Sequence, residues 1–341
     1  MAMLNKTTTK IGVGVDPEIF LIDKVLKRYT SAHDLVPGTK EEPYPLVNGA
    51  VQVDGVALEY NTKPAYTAAE FAQYNTEVLA QLRKMLPEDR YTFAYEPAVF
   101  FDKVFFDSIP AGPKELGCMP DYNAYTGKQT PTPKPEGVYV NMRTGSGHIH
   151  VSWTEGADPD DASHRWDCNY VVKWLENTVG LFMKFWDDDT DRANLYGKPG
   201  ALRYRPYGVE WRSPSNAWLR HPALWPWLFE AVSCVVRACH DGTLAKHGVP
   251  SHKCYDGYSQ ISDVLYQVRQ YVPDFPAFPK EVVKKKKKKK KQYIQRVVRV
   301  SGTMTTTKSD VNLDAKDGDV NIIEDYEDFE DAGTEDVDDD Y

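Results

Sequence analysis

Cysteine is scarce in this 341-residue chain: there are five, Cys118, Cys168, Cys234, Cys239 and Cys254, and none lies in a C-x-x-C pair. That spacing offers neither a disulfide framework nor a zinc knuckle, and a reducing compartment is the simplest reading. No run of eighteen apolar residues exists to cross a bilayer, and the opening MAMLNKTTTK lacks the apolar core of a signal peptide. A soluble, cytoplasmic protein with no membrane partner is therefore expected. There is no G-x-x-x-x-G-K-[ST] loop, and GVGVDP is not a dinucleotide fingerprint. Any nucleotide would have to be held by metal ions and arginines on a sheet. Internal repeats are absent as well.

The 41% hydrophobic content is enough for a real core. Charge is unevenly spread. Gly302 to Tyr341 carries fifteen Asp/Glu against two Lys, a balance of −13, so the rest of a chain with net charge −9 sums to +4. Eight consecutive lysines, Lys284 to Lys291, precede that segment. Residues 281–341 read as a charged, disordered tail, and residues 1–280 as the globular domain that would carry any catalytic site. The lysine run reads as a solvated linker that associates with the acidic tail of its own chain, and nucleic acid is not expected as a partner.

Within the first 280 residues the apolar pattern alternates between periods of two and of three to four. KIGVGVDPEIFLID is a strand, with Pro17 marking an edge, a bulge or a bend. AVQVDGVALEYNTKP is a hairpin with Asp54-Gly55 as its turn, so Asp54 is a turn-former here. Phe71, Tyr74, Val78, Leu82 and Met85 form one helical stripe over 67–86, ended by Pro87. RYTFAY is a further strand, and 107–135, rich in Pro and Gly, reads as a long loop. GVYVNMRTGSGHIHVSW reads as two strand-like runs joined by Arg143 to Ser146, where Arg143 either binds an anion or is solvated. Helices are expected at 166–186 and 222–240, the tryptophans of the second being core. The class is α+β, with a largely antiparallel sheet backed by helices.

Four strand segments share one design, in which polar ligand-type residues alternate with apolar ones: Asp16/Glu18, Glu59/Asn61, His148/His150 and Glu210/Arg212. If the strands share a sheet, these groups converge on one concave polar face. Crowded carboxylates repel and require cations. Oxygen ligands with an imidazole suit magnesium or manganese, and arginines beside such ions neutralise a transferring phosphoryl group. Arg203, Arg205 and Arg212 lie within ten residues of one another.

GVDPEIF, VDGVALEYNTKP, GSGHIHVSW and YRPYGVEWRSPSNAWL occur in an order and spacing that resembles the carboxylate-amine ligase superfamily of glutamine synthetase and glutamate-cysteine ligase, most of all its phage-type branch. The resemblance spans roughly 10–240. It implies the glutamine synthetase-like fold and an ATP-dependent reaction, in which a small-molecule or peptide carboxylate forms an acyl phosphate that an amine captures. By motif, it implies that Asp16, Glu18, Glu59, His148 and Glu210 hold two or three magnesium or manganese ions. His150, Arg203, Arg205 and Arg212 then face the nucleotide, with Glu210, Arg205 and Arg212 in the catalytic role. A phage-encoded member would act in the host cytoplasm. The chain carries Asp16-Pro17-Glu18 where relatives commonly have Glu-x-Glu, and its histidine motif is one residue tighter than in glutamine synthetase. Which of His148 and His150 meets metal stays open. So do two other functions: phosphoryl transfer to a guanidino group on the same fold, and a non-enzymatic binding or assembly role.

Overall fold

The computed structural model describes residues 10–114, 121–131, 134–187, 191–251 and 258–283, plus three short strands beyond them. The chain divides into two units, Met1–Lys284 and Lys285–Tyr341. In the second unit, Val298–Val300 pairs antiparallel with Thr303–Thr305 and with Asn321–Ile322. The lysine run and most of the acidic segment, and with them the disordered-tail expectation, lie outside the described residues.

The first unit is built on β1, Gly12–Asp23, a twelve-residue strand. Val13, Val15, Ile19 and Leu21 are fully buried on one face, as period two requires. Around it run β2 (Arg28–Thr30), β3 (Tyr44–Leu46), β4 (Gly49–Asp54), β5 (Ala57–Thr62) and β6 (Tyr91–Ala94). Further on come β7 (Ala98–Phe100), β8 (Asp121–Asn123), β9 (Gln129–Thr130), β10 (Met142–Thr144), β11 (Gly147–Ser152), β12 (Ala201–Arg205) and β13 (Gly208–Trp211). Eleven of these form one sheet in the order β3-β4-β5-β1-β11-β13-β12-β8-β9, with β2 and β6 also on β1, while β7 and β10 pair separately. Every pairing in the large sheet is antiparallel.

Pro17 sits where β1 changes neighbours. Residues 12–17 pair with β11, and Glu18 and Ile19 pair with β5. Proline has no N–H to give the ladder; its partner Gly147 sends its own N–H to the Pro214 carbonyl at 3.0 Å, and the Gly147 carbonyl accepts from Trp218 Nε1 at 3.2 Å. The strand therefore runs through proline without leaving the Gly147 backbone unpaired.

Helices cover the apolar face. Ala68–Met85 starts from a capping box in which Thr67 and Glu70 satisfy each other's backbone N–H groups, and it buries Phe71, Val78 and Leu82. Leu224–His240 buries thirteen of its seventeen residues, its tryptophans among them. The helix expected at 166–186 instead runs Ala162–Glu176: Asp161 caps it five residues before Trp166, and after Glu176 the chain turns into Val179–Phe182 and a 3-10 turn. Among the described residues, no helix is long and apolar enough to cross a membrane.

Three local expectations are corrected. The hairpin turn is Gly55-Val56, because Asp54 pairs with Ala57 and Gly55 takes φ +60°. Part of the expected loop at 107–135 is ordered: Lys103–Ser108 and Ala111–Lys114 are helical, and β8 and β9 form a hairpin that adds to the sheet edge. The first run of GVYVNMRT is likewise a 3-10 turn, Gly137–Tyr139, followed by β10.

Candidate active site on the polar face of the sheet

Antiparallel pairing places residues opposite each other on the same face. Asp16 lies opposite His148, Gly14 opposite His150, Glu18 opposite Glu59, and Glu210 opposite both His150 and Arg203. All four sequence segments thus meet on one face. The apolar residues between them, Ile149, Val151, Val209 and Trp211, are buried on the other side.

The centre of this face is Glu210, wholly buried at 0% exposure. Its Oε2 accepts from Arg205 Nε at 2.8 Å, its Oε1 accepts from the Arg212 guanidinium, and Arg203 stands 3.7 Å away. Asp16 lies 3.3 Å from His148 Nδ1 and 3.1 Å from His150 Nε2. Burial alone would raise the Asp16 pKa, but the charges of His150 and His148 and their hydrogen bonds overturn that and hold it well below the carboxylate range. Burial, joined by the Arg212 charge, pushes His148 down to about 4. His150 is also pulled down by burial, yet Asp16 and Glu210 win and raise it.

A few ångströms along the face the balance reverses. Glu18 accepts the Ser146 N–H at 2.9 Å, Glu59 accepts from Gln52 Nε2 at 2.9 Å, and Asp54 pairs with Lys40 at 2.7 Å. No arginine pairs with these carboxylates among the described contacts. Burial, then repulsion from Asp54, raises Glu18 to about 7. Burial, then Asp16, Asp54 and Glu18, raises Glu59 well above its ordinary value.

Several members escaped the sequence reading. Asp121, on β8, lies 2.7 Å from Arg212 Nε and 3.5 Å from Arg203 Nε; burial raises its pKa against the pull of both arginines. Its stretch, DYNAYTGKQ, does carry a turn signal at Thr126-Gly127. Asp54 reaches the face because the turn begins one residue later than Asp-Gly suggests. Tyr196 receives a hydrogen bond from Arg212, and Tyr207 contacts His150 Nδ1; nothing in the local pattern marks either tyrosine. Arg143 is not solvated. It is buried over the Phe106 ring at 4.5 Å and donates to the carbonyls of Val140, Met142 and Lys114; burial lowers its pKa to about 10.

The donor set fits a hard divalent cation. Ligand-type atoms of Asp16, His150 and Glu210 lie within 4.8 Å of one another, and His148 Nδ1 is 3.3 Å from Asp16 and 3.6 Å from Glu210. Both imidazoles thus bracket the same two carboxylates. His148 Nε2 is buried without a hydrogen-bond partner. Lys40 offsets the crowding of Glu18, Glu59 and Asp54 only in part, and further positive charge there would be favourable.

No family model and no curated protein matches the chain. Among solved structures, one described as "GmaS/ADP complex-Conformation 1" is similar at 13% identity and a TM-score of 0.37. The alignment covers 77% of this chain and 64% of that one, so this chain spans less than two thirds of that protein's length. A likeness that remote assigns no activity, and the functional reading rests on the residues of the polar face.

Proposed function

We propose that the chain is an ATP-dependent ligase joining a carboxylate to an amine, on a glutamine synthetase-like fold and of the phage-type branch that its motifs resemble. The observation that carries this reading is the pairing of opposites on one face: a knot of arginines around Glu210, beside a group of carboxylates whose charge is only partly offset. ATP brings both complements, polyphosphate for the arginines and its accompanying cations for the acids.

Asp16, Glu18, Glu59, His148 and Glu210 would hold magnesium or manganese, with Asp54 beside the acid group. Those ions, when bound, neutralise phosphate charge and hold the polyphosphate in place. Arg203, Arg205 and Arg212 are held by Glu210 and Asp121 as a preformed donor cluster, so little reorganisation is needed when phosphate enters. In the reaction, a substrate carboxylate oxygen attacks the γ-phosphorus and ADP leaves. The amine nitrogen then attacks the acyl carbon, the amide forms, and phosphate and a proton are released. The cytoplasm is the proposed compartment.

The test supplies ATP and magnesium with pools of carboxylates and amines, separately and together. Release of ADP and phosphate should require both substrates, and an amide product should appear by mass spectrometry. Turnover indifferent to amine across broad pools would sink the ligase reading. A stable phosphorylated guanidino product would replace it with the kinase alternative.

A further inference from the structure

The two histidines of GSGHIHVSW are held differently. His148 has a buried Nε2 without a hydrogen-bond partner. His150 is engaged at both ring nitrogens: Nε2 lies 3.1 Å from Asp16 Oδ2, and Nδ1 meets the Tyr207 hydroxyl. A phenol can donate or accept, so it keeps the ring in place whichever nitrogen carries the proton.

Tyr207 stands on the tight turn between β12 and β13, and every carbonyl of that turn is taken from outside it. The Arg205 carbonyl accepts from His164 Nε2 at 2.8 Å and the Pro206 carbonyl from the Ala157 N–H at 2.9 Å. The Tyr207 carbonyl accepts from the N–H groups of Trp153 and Thr154 at 3.0 and 3.2 Å, and the Gly208 carbonyl from Cys168 Sγ at 3.2 Å. Gly208 takes φ +145°, and a Cβ there would fall 2.3 Å from the Val151 carbonyl oxygen, so the turn permits only glycine. A turn pinned at four successive residues presents its side chain at a fixed position.

We infer that Tyr207 is a positioning residue: its hydroxyl, fixed by the clamped turn, orients His150 so that Nε2 faces the centre shared with Asp16 and Glu210. The inference rests on the proposed nucleotide and cation site and adds to it the group that preorganises one of its walls. Tyr207→Phe removes the hydroxyl and leaves the ring to pack.

Four full-length proteins test it: the unaltered chain, Tyr207→Phe, His150→Ala and the double variant, each titrated with ADP plus Mn²⁺ by calorimetry. Tyr207→Phe should weaken binding about tenfold, the lower end of what loss of a supporting partner costs a bound centre. That loss should vanish in the His150→Ala background, since a residue acting through His150 has nothing left to orient. An equal loss in both backgrounds, or none in either, overturns the inference while leaving the site reading intact. An unaltered chain that takes up no Mn²⁺·ADP removes the site reading itself, and this inference with it. Melting of the ligand-free Tyr207→Phe protein should stay close to that of the unaltered chain; a collapse there without a binding effect would mark a purely structural role.

Discussion

The polar face of the sheet has two halves, built from the same strands and folded by the same alternation, with opposite electrostatics. Around β11, β12 and β13 each carboxylate has cationic or imidazole partners: Glu210 has three arginines, and Asp16 has two histidines. Around β4, β5 and the middle of β1, Glu18, Glu59 and Asp54 face one another, with an amide, a backbone N–H and one half-exposed lysine for company. Burial is similar in the two halves, so burial does not explain the contrast. In the first half the carboxylates are paired within the chain, whereas in the second burial and mutual repulsion raise the pKa values of Glu18 and Glu59. That difference predicts opposite responses to the same kind of substitution.

The largest effect is expected in the compensated half. Glu210→Ala leaves three buried or half-buried arginines facing one another without their shared acceptor. Removing one partner of a buried ionic cluster typically costs about 3–5 kcal/mol. Chemical denaturation should show a loss of that order, together with loss of any ATP turnover. Glu210→Ala stability within 1 kcal/mol of the unaltered chain, a bound taken from the ordinary surface-pair value of roughly 0–1 kcal/mol, would show that the arginine cluster does not depend on Glu210.

The second effect separates the halves by pH. Glu18 holds its proton up to about pH 7 in the folded chain, against an ordinary value of 4.5. Between those values the folded state binds more protons than the unfolded one, so stability falls as pH rises and the full penalty is present above about 7. Glu59, raised in the same direction, adds to it. In chelator the melting temperature should therefore drop from pH 5 to pH 8. Millimolar Mn²⁺ should restore it at pH 8 and change little at pH 5. A Mn²⁺ effect of equal size at both pH values would mean that the acid half is not where the ion sits.

The contrast between halves was only partly legible in the sequence. Alternation in GVDPEIF, VALEYN, GHIHVSW and GVEWRS gave each polar residue its face, because period two needs only neighbouring residues. What could not be read locally was partnership: Asp121 arrives from a segment that looks like a loop, and Asp54 changes role because the turn slips by one residue. Pro17 was marked as a disturbance, and its reason, a change of partner strand, depends on where Gly147 sends its N–H. The helix start at Ala162 was missed because its cap, Asp161, lies in a polar run, DPDDASH, without an apolar stripe to announce it. Residue type and face follow from local sequence, whereas charge balance follows from which strands become neighbours.

A second substitution should invert the sign of the first. Glu59→Gln removes a charge from the crowded half while keeping the amide able to meet Gln52. In chelator at pH 8 this variant should be more stable than the unaltered chain, by on the order of 1 kcal/mol, the scale of one pKa unit of relieved repulsion. With Mn²⁺ present the order should reverse, because the variant has lost a ligand. Destabilisation in chelator would mean that Glu59 is already compensated.

The smallest effect concerns Lys40, a cation that the structure places against the acid half. Lys40 Nζ lies 2.7 Å from Asp54 Oδ1; burial opposes its charge, but Asp54, Glu59 and Glu18 together raise its pKa. It sits on the loop between β2 and β3, two residues after Gly38, φ +92°, with its side chain 42% exposed. A half-exposed ammonium on such a loop is a weak counter-ion, worth roughly 0–1 kcal/mol in chelator. Lys40→Ala should therefore lower the metal-free melting temperature only slightly. It should strengthen Mn²⁺ binding, because the tethered charge no longer competes for the same carboxylates. The opposite outcome, weaker Mn²⁺ binding after Lys40→Ala, would make the lysine part of the loaded site and the acid half more complete than the comparison holds.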